Sequence, residues 1–478
     1  MLVETRNIRQ KLLGICDIGA NIASLSLSLS LSLSLSLLAQ LRSSFFSPQP
    51  AYPYARAKHK LHNTLYYEFA LALALLLAAT PALAVNTGGT EQKVTVGFWD
   101  DEDAFVGSGQ YNIHDSQNVS GANIHINTDD SRYIIGGYAG GTSTGSALNN
   151  TITMTTGNIT NNIYGGYSYA GDASHNTITM SGGLADYGIT GGYVKGGSGN
   201  ATDNSITISG GAVDGAVYGA HVYGTGDAIG NRVSISNVAE ITRDIYGAAV
   251  GGDGNAVNNS LVLNDTKVTQ KGNRGGNVYG GYVASENNIA GIAQGNSLTL
   301  QGTAEAKRAY GGYSWFGLAT GNTLTVKDTA TTESFMAGYS KLGNAEGNRG
   351  QVQGGTVSTS ALGGYTEMGG DALNNSIYMT GGEVTESVIG GFTNGTGNSN
   401  KNSVVMTGGK AKSIRGGESK ADASANHVLV SGGTLTGNVY GGHAQNNASG
   451  NVVRVSGGTV QGHILGAYAE KGNATGNS

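Results

Sequence analysis

Cysteine, proline and charged residues are scarce in this sequence of 478 residues. The one cysteine is Cys16 and the four prolines are Pro48, Pro50, Pro53 and Pro81, so residues 85–478 contain neither. A disulfide framework and a proline-rich or collagen-like structure are therefore excluded there. Charged residues make up only 12 %, which is uncommon for an enzyme with an ordinary globular core.

The sparse charge is also unevenly distributed. Residues 1–84 carry seven Lys/Arg and three Asp/Glu, whereas the remainder carries 20 basic and 29 acidic side chains. Such an acidic remainder would be repelled by nucleic-acid phosphates and by anionic lipid, so no nucleic-acid partner is expected. Glycine, at 80 residues, is too frequent for long helices, and hydrophobic residues, at 38 %, are too many for a disordered tail. An extended, turn-rich β architecture remains.

Residues 56–84 have the three parts of a secretory signal peptide. A basic segment with Arg56, Lys58 and Lys60 precedes the apolar run 69–79, and Ala82-Leu83-Ala84 follows as a small-x-small cleavage site. The apolar run is too short to span a bilayer. We expect cleavage after Ala84 and export of the rest of the chain.

Residues 1–55 form a low-complexity leader with strict Ser-Leu alternation over residues 24–37. Neither a strand nor a helix of this pattern makes a convincing domain. One hypothesis is a two-base CT repeat in the gene whose slippage switches expression. The alternative is a start codon assigned too far upstream.

A tetrad resembling Tyr-Gly-Gly-Tyr recurs thirteen times at intervals of 25 to 33 residues, with a mean of 27.5. The copies are Ile135–Tyr138, Tyr164–Tyr167, Thr190–Tyr193, Tyr218–His221, Tyr246–Ala249, Tyr279–Tyr282, Tyr310–Tyr313, Met336–Tyr339, Leu362–Tyr365, Ile389–Phe392, Arg415–Glu418, Tyr440–His443 and Leu465–Tyr468. Between tetrads, asparagine precedes an alternating segment such as Thr177-Ile178-Thr179-Met180, which predicts a strand with Ile178 and Met180 inward.

A unit of this length cannot bury that face alone, so the repeats are expected to stack as coils of a parallel β-helix. Thirteen coils at about 4.8 Å each give a rod of about 60 Å. Stacking predicts an amide ladder, an aromatic column and glycine pairs at the corners, with the ladder asparagines suited to left-handed turns. The predicted ladder is Asn176, Asn204, Asn296, Asn322, Asn375, Asn402 and Asn426, and the predicted column is Tyr167, Tyr193, Tyr282 and Tyr313.

Two other repeat folds compete with the β-helix. A propeller needs about forty residues per blade and usually closes at about four to eight blades, which thirteen shorter units match poorly. A calcium-loaded β-roll needs an aspartate every ninth residue, and that pattern is missing.

The late signal followed by a cysteine-free, glycine-, asparagine- and threonine-rich β-repeat resembles the passenger region of bacterial autotransporters, the type V secretion proteins. The resemblance covers residues 56–478 and rests on organisation. It implies a right-handed parallel β-helix, all-β, that the outer-membrane translocation machinery exports to the cell surface or the medium. Residues 85–130 would cap the solenoid and residues 131–478 would be repeats, ending inside a repeat. The family's C-terminal barrel is missing, so we expect a truncation or frameshift.

The sequence offers few residues for chemistry. No nucleophile elbow, zinc-protease motif or phosphate loop is present, and no cofactor is expected. His221 and His443 occupy tetrad positions normally held by tyrosine, so both are interpreted as column substitutes. The acidic run of Asp100, Asp101, Glu102 and Asp103 is a candidate Ca²⁺ site, although a solvated loop explains it better.

We therefore expect a non-catalytic adhesin or stalk that binds host or neighbouring-cell surface molecules. Insertions at Gly251–Gly276 and Ala284–Gly295 would project from the rod as contact sites. A carbohydrate-active β-helix enzyme, such as a polysaccharide lyase or hydrolase, is the alternative from another class. A purely structural cell-surface spacer is the third hypothesis. Three or more carboxylates or basic side chains gathered across successive coils would favour the enzyme.

Overall fold

The computed structural model describes residues 117–141, 144–272, 274–284 and 291–478, together with four short strands upstream. The chain divides into two units, residues 1–92 and residues 93–478. In the first unit only the strand Leu83–Ala84 is described, so the predicted leader and almost all of the predicted signal peptide lie outside the described residues. No helix that could span a membrane occurs in the described ranges.

The second unit is a parallel β-solenoid of about thirteen coils, which confirms the predicted stacking of repeats. One coil shows the plan. The strand Thr177–Met180 is followed by a glycine turn, then by Leu184–Ala185 and Gly188–Val194, and then by Ala201–Thr202. Each of these strands pairs with its counterpart in the next coil, 27 or 28 residues further along the chain at Thr177↔Ser205 and Ala201↔Ala228.

Sheet 1 contains strands of four or five residues, each of which follows a ladder asparagine from Thr151–Met154 onward. They are Asn123–Ile126, Thr151–Met154, Thr177–Met180, Ser205–Ile208, Arg232–Ser236, Ser260–Asn264, Ser297–Gln301, Thr323–Val326, Arg349–Val352, Ser376–Met379, Ser403–Met406, His427–Val430 and Val452–Val455. Their side chains alternate as predicted, because Ile178 and Met180 are buried while Thr177 and Thr179 are partly exposed.

Sheet 2 contains the tetrads and the short strands that precede them. Its parallel strands are Asp103–Val106, Tyr111–Asn112, Tyr133–Ala139, Asn158–Ile159, Asn162–Ser168, Leu184–Ala185, Gly188–Val194, Ala212–Val213, Ala216–Val222, Glu240–Ile241, Ile245–Tyr246, Ala249–Val250, Lys267–Val268, Asn277–Val283, Glu305–Ser314, Thr331–Ser340, Thr356–Val357, Ala361–Thr366, Glu383–Thr393, Lys410–Ser419, Thr434–Leu435, Val439–Ala444, Thr459–Val460 and Ile464–Ala469. The strand Val94–Thr95 pairs antiparallel with Asp103–Val106 at the upstream end.

The third side of the coil consists of two-residue strands in two stacks. The first stack is Val119–Ser120, Ala147–Leu148 and Ala173–Ser174. The second stack, here called sheet 3, is Ala201–Thr202, Ala228–Ile229, Ala256–Val257, Ala293–Gln294, Ala319–Thr320, Ala345–Glu346, Ala372–Leu373, Ser399–Asn400, Ala423–Ser424, Ala448–Ser449 and Ala474–Thr475. Alanine at the first position keeps this corner narrow, with Ala173, Ala201 and Ala228 fully buried.

The predicted insertions differ from what the structure contains. Most of Gly251–Gly276 is regular coil, because Ala256–Val257, Ser260–Asn264 and Lys267–Val268 belong to the three stacks. The part that leaves the coil is the antiparallel hairpin of Gln270–Lys271 with Arg274–Gly275. Within Ala284–Gly295, residues 285–290 lie outside the described residues, and Ala293–Gln294 is a strand of sheet 3. The expectation of two long projecting loops was therefore wrong for the first segment.

Candidate functional site: the tyrosine face and its groove

Asparagine side chains form a continuous hydrogen-bonded ladder at the corner where each coil enters sheet 1. The Nδ2 of Asn176 donates to Oδ1 of Asn204 at 2.9 Å, and the backbone N–H of Asn176 donates to the same oxygen at 3.0 Å. The second Nδ2 proton of Asn176 is directed to the carbonyl of Ala147, one coil back, at 3.0 Å. The buried carboxamide therefore satisfies its own polar atoms and those of both neighbouring coils.

All seven predicted ladder asparagines lie in this ladder, and six others complete it. The additional members are Asn150, Asn231, Asn259, Asn348, Asn451 and Asn477. Asn150 and Asn259 precede the same alternating segment as the predicted members, so the pattern could have found them. Asn348 precedes Arg-Gly-Gln-Val, which lacks the apolar alternation that marked the others.

The left-handed backbone predicted for the ladder asparagines is wrong, because it belongs to the residue before each of them. His175 has φ 58° and Asp203 has φ 52°, immediately before Asn176 and Asn204. Gly230, Gly295 and Gly321 hold the same place in other coils with φ between 63° and 67°. The left-handed residue at each corner thus immediately precedes the ladder asparagine, and the asparagine side chain can point its amide inward.

We expected the glycine pairs of the tetrads to lie at corners of the coil, but they lie within strands. Gly165 and Gly166 lie inside the strand Asn162–Ser168, and a Cβ on Gly166 would overlap the carboxamide of Asn176. The tetrad therefore needs its second glycine to make room for the amide ladder. The glycine pairs that follow the strands of sheet 1 do turn the chain, since Gly183 has φ 87°.

Aromatic rings form two adjacent columns on sheet 2, one at the first and one at the fourth tetrad position, and these two columns together are called the tyrosine face. In the first column the rings of Tyr218, Tyr246, Tyr279 and Tyr310 are nearly parallel, with centroids 4.7 to 4.9 Å apart. Rings of the two columns meet edge to face, as between Tyr279 and Tyr282 at 5.0 Å. Such contacts add to the free energy gained from burial.

The four tyrosines predicted for the aromatic column occupy two separate runs of the fourth position. Tyr167 and Tyr193 stack at 5.0 Å, and Tyr282 and Tyr313 stack at 4.9 Å. Between the runs lie His221 and Ala249, which pair in register with Tyr193 and Tyr282. The column is therefore interrupted in the middle of the solenoid.

Burial changes the ionisation of the rings in both columns. Desolvation raises the pKa of Tyr164, Tyr167 and Tyr279 far above that of a free phenol, and neighbouring tyrosines raise it further. Desolvation among the rings of Tyr218 and its neighbours lowers the pKa of His221 to about 4. At neutral pH these tyrosines are neutral phenols and His221 is a neutral imidazole.

A groove of about 500 Å³ opens where the column is interrupted. Ala249, Gly251 and Ala284 form its floor. The backbone N–H of Gly251 bonds to Val222 and that of Ala284 bonds to Val250, which places Gly251 and Ala284 in one column outside the tetrads. Ala249, which is buried, thus takes the place of a ring in the fourth-position column, and Gly251 and Ala284 are small residues beside it. The ring of Tyr223 lies against Gly251, and the missing rings at Ala249 and Ala284 leave the space.

Aromatic rings close the groove on several sides. His221 and Tyr223, with ring centroids 4.4 Å apart, lie towards the upstream coils. Tyr282, Trp315 and Phe316 lie towards the downstream coils. The first column supplies a further wall of Tyr218 and Tyr246, and the hydroxyl of Tyr246 donates to Asp244 at 3.2 Å. The described residues that line the groove include no Lys, Arg, Asp or Glu.

A second interruption of the columns holds charged residues. Arg415 and Glu418 occupy the first and fourth positions of one tetrad and form an ion pair at 2.8 Å. His443, one coil further, lies 3.5 Å from Glu418 and 3.8 Å from Glu470. Burial opposes ionisation of Glu418, but hydrogen bonding to His443 and the charge of Arg415 outweigh it and lower its pKa.

The other candidate sites have less support. Asp100, Asp101 and Glu102 lie outside the described residues, and Asp103 begins the strand Asp103–Val106. No group of three or more potential metal ligands occurs in the described part of the chain. Comparison of this chain with protein-family models, with curated proteins and with solved structures gives no match.

Proposed function

We propose that this chain is an exported passenger of the autotransporter kind, displayed at the bacterial surface or released, which acts as a non-catalytic stalk that binds other surfaces. The observation that carries the proposal is the stacking of about thirteen coils around one uninterrupted amide ladder. A solenoid of this kind is stabilised by contacts between neighbouring coils and needs no disulfide or metal. It suits a protein that must fold after crossing a membrane.

The tyrosine face supports a role in binding. Most rings of the two columns are buried or partly buried, but apolar surface that stays exposed beside them commonly marks a site of interaction. Tyr223 is about half exposed at the rim of the groove, and the exposed Tyr169 lies two coils upstream in the same column of residues. The surface around the groove, rather than a long loop at Gly251–Gly276, is therefore the candidate contact surface.

The charged cluster bears on the alternative of a carbohydrate-active enzyme. Arg415, Glu418, His443 and Glu470 gather charge over three successive coils, which is the feature expected of such an enzyme. However, the lowered pKa of Glu418 makes it a poor general acid. Arg415 and Glu418 also occupy the two positions at which other tetrads place contacting rings, so we interpret this ion pair as a structural substitute for the rings.

The exported chain, purified after expression from Met1, tests the proposal against this alternative. We expect saturable binding to cultured cells and no release of reducing ends or unsaturated uronates from neutral and acidic polysaccharides. Sugar release that disappears in Glu418→Gln, but persists in the control Glu305→Gln at the exposed pair with Lys267, would establish the enzyme instead. Absence of cell binding would leave the spacer hypothesis.

A further inference from the structure

We propose that the groove above Ala249, Gly251 and Ala284 is a binding site for a neutral hexopyranose unit of a glycan. This inference rests on the proposed function and names the class of ligand that the stalk would contact. It depends on the register of the coils, on the chemistry of the walls and on the charge of the groove.

The register determines the width of the groove. His221 and Tyr282 are two coils apart, so about 10 Å separates their positions, and Ala249 lies between them. In the neighbouring column Tyr223 and Trp315 are three coils apart, or about 14 Å. The ring of Tyr223 lies against Gly251, 3.3 Å from where a Cβ would stand, so the open part of this column is at Ala284. Each gap therefore corresponds to one missing ring in a surface where rings otherwise repeat at about 5 Å. A ring-shaped ligand can therefore enter with a wall on either side.

The walls combine flat apolar surfaces with polar tips. The C–H face of a pyranose packs against tyrosine, tryptophan or phenylalanine rings, while its hydroxyl groups need hydrogen-bond partners at the edges. The Tyr246 hydroxyl, which donates to Asp244, retains lone pairs that can accept from a sugar hydroxyl. The volume of about 500 Å³ lies within the range of small-ligand sites, about 300 to 1,000 Å³.

The charge of the groove favours a neutral ligand. The described lining residues include no Lys, Arg, Asp or Glu, and His221 is neutral above its lowered pKa. Lys341 lies over the ring of Trp315 at 4.0 Å, in the next coil downstream and therefore on the side away from the groove floor. An acidic sugar or a carboxylate would find no counter-charge among these residues.

Tryptophan fluorescence can report on this groove directly. The chain has two tryptophans, Trp99 and Trp315, so Trp99→Phe leaves Trp315 as the only one. We expect saturable quenching of Trp315 by at least one neutral probe among methyl glucoside, methyl galactoside, methyl mannoside and their neutral oligosaccharides, confirmed by calorimetry. Methyl glucuronoside should not bind.

Ala249→Tyr fills the groove without violating the repeat, because nine of the thirteen tetrads have tyrosine or phenylalanine at the fourth position. We expect this variant to fold and to weaken sugar binding at least about tenfold. Glu418→Tyr is the matched control, since it also completes an interrupted tetrad, six coils or about 29 Å away, and should bind sugar normally.

Three outcomes would overturn the proposal. They are the failure of every neutral sugar to bind, sugar binding that Ala249→Tyr leaves unchanged, and binding of N-acetyltyrosine amide in place of sugars, which would point to a protein partner. Cell binding by the exported chain with no competition from neutral sugars would reject the groove proposal alone. Sugar binding without cell binding would reject the stalk's proposed role alone.

Discussion

Gly312 faces the carboxamide of Asn322 with no room for even a methyl group between them. The same relationship recurs between Gly166 and Asn176 and between Gly391 and Asn402. The tetrad and the asparagine, about ten residues apart in sequence at Asn322 and Gly312, are thus two halves of one packing contact across the coil. It links the spacing of the repeat to the interior of the solenoid.

Removing a central rung of the amide ladder should be costly. Asn322→Ala leaves the backbone N–H of Asn296 and the carbonyl of Ala293 without a partner in a buried corner. It also removes one of the two bonds that Nδ2 of Asn296 donates and one of the two that Oδ1 of Asn348 accepts. We expect the free energy of unfolding to fall by about 3 to 5 kcal/mol, as measured by urea denaturation.

Asn477→Ala is the matched control for the ladder, because Asn477 is only partly buried but makes the same kinds of bond, accepting two from Asn451 and donating one to the carbonyl of Ala448. Its substitution should cost about 1 kcal/mol. Equal losses in Asn322→Ala and Asn477→Ala would show that full burial of a rung adds nothing to the free energy of unfolding beyond its hydrogen bonds.

Gly312→Ala should disrupt the coil, since the new Cβ would overlap Asn322 and the neighbouring strands cannot yield. We expect a loss of about 3 kcal/mol or failure to fold. Gly347→Ala is the comparison, because a Cβ there meets nothing within 4 Å and Ala425 occupies the equivalent position with φ 54°. Its cost should be about 1 kcal/mol, and a larger loss than in Gly312→Ala would contradict the account.

The tyrosine columns should make the protein sensitive to alkali. Because burial raises the pKa of Tyr279, Tyr164 and Tyr167 above the unfolded value of 10.0, the unfolded state loses protons first as pH rises. Their contribution to stability is complete below about pH 10 and is lost above it. The urea concentration at the midpoint of unfolding should therefore stay level up to about pH 10 and decline steeply above it.

Two substitutions distinguish the columns from other tyrosines in the alkaline experiment. Tyr279→Phe should make the decline shallower, whereas Tyr187→Phe, at a ring that is 63 % exposed, should leave it unchanged. If Tyr279→Phe removed part of the phenolate absorbance that rises around pH 10 while β-sheet circular dichroism is unchanged, the columns would be shown to ionise while folded.

His221 should confer sensitivity to mild acid. Its pKa is lowered to about 4 in the folded state from 6.5, so its contribution to stability is complete above pH 6.5 and disappears as pH falls towards 4. His221→Tyr restores the common tetrad residue and should flatten the dependence of stability on pH in this interval. The same acid loss in wild type and in His221→Tyr would show that another group is responsible.

The coil could be predicted from sequence where a residue has a local signature. Ile178 and Met180 are marked by the alternation of apolar residues, and the tetrad glycines are marked by their regular spacing. These two signals were enough to predict the stacking of the coils and seven members of the amide ladder. The exact turn conformation did not follow, because His175 and Asn176 can each adopt it and only the fold shows which one does.

The groove has no local signature. Ala249, Gly251 and Ala284 are ordinary small residues in sequence, and they form one floor only because Ala249 pairs with Tyr282 across an interval lengthened by a hairpin. Register between coils also pairs a small residue with a large one in the core. A Cβ on Gly350 would meet the buried ring of Phe335, which fills the space that a side chain at position 350 would need. Such relationships depend on register between coils, which a single sequence does not specify.

Export and cleavage of the chain can be tested by the intact mass of the protein recovered outside the inner membrane. The account predicts that a chain expressed from Met1 is recovered outside the inner membrane with Val85 as its first residue, and that Ala84→Leu abolishes this processing while Val85→Leu does not. Recovery of only the unprocessed chain inside the cell, from wild type as well as from Ala84→Leu, would contradict it.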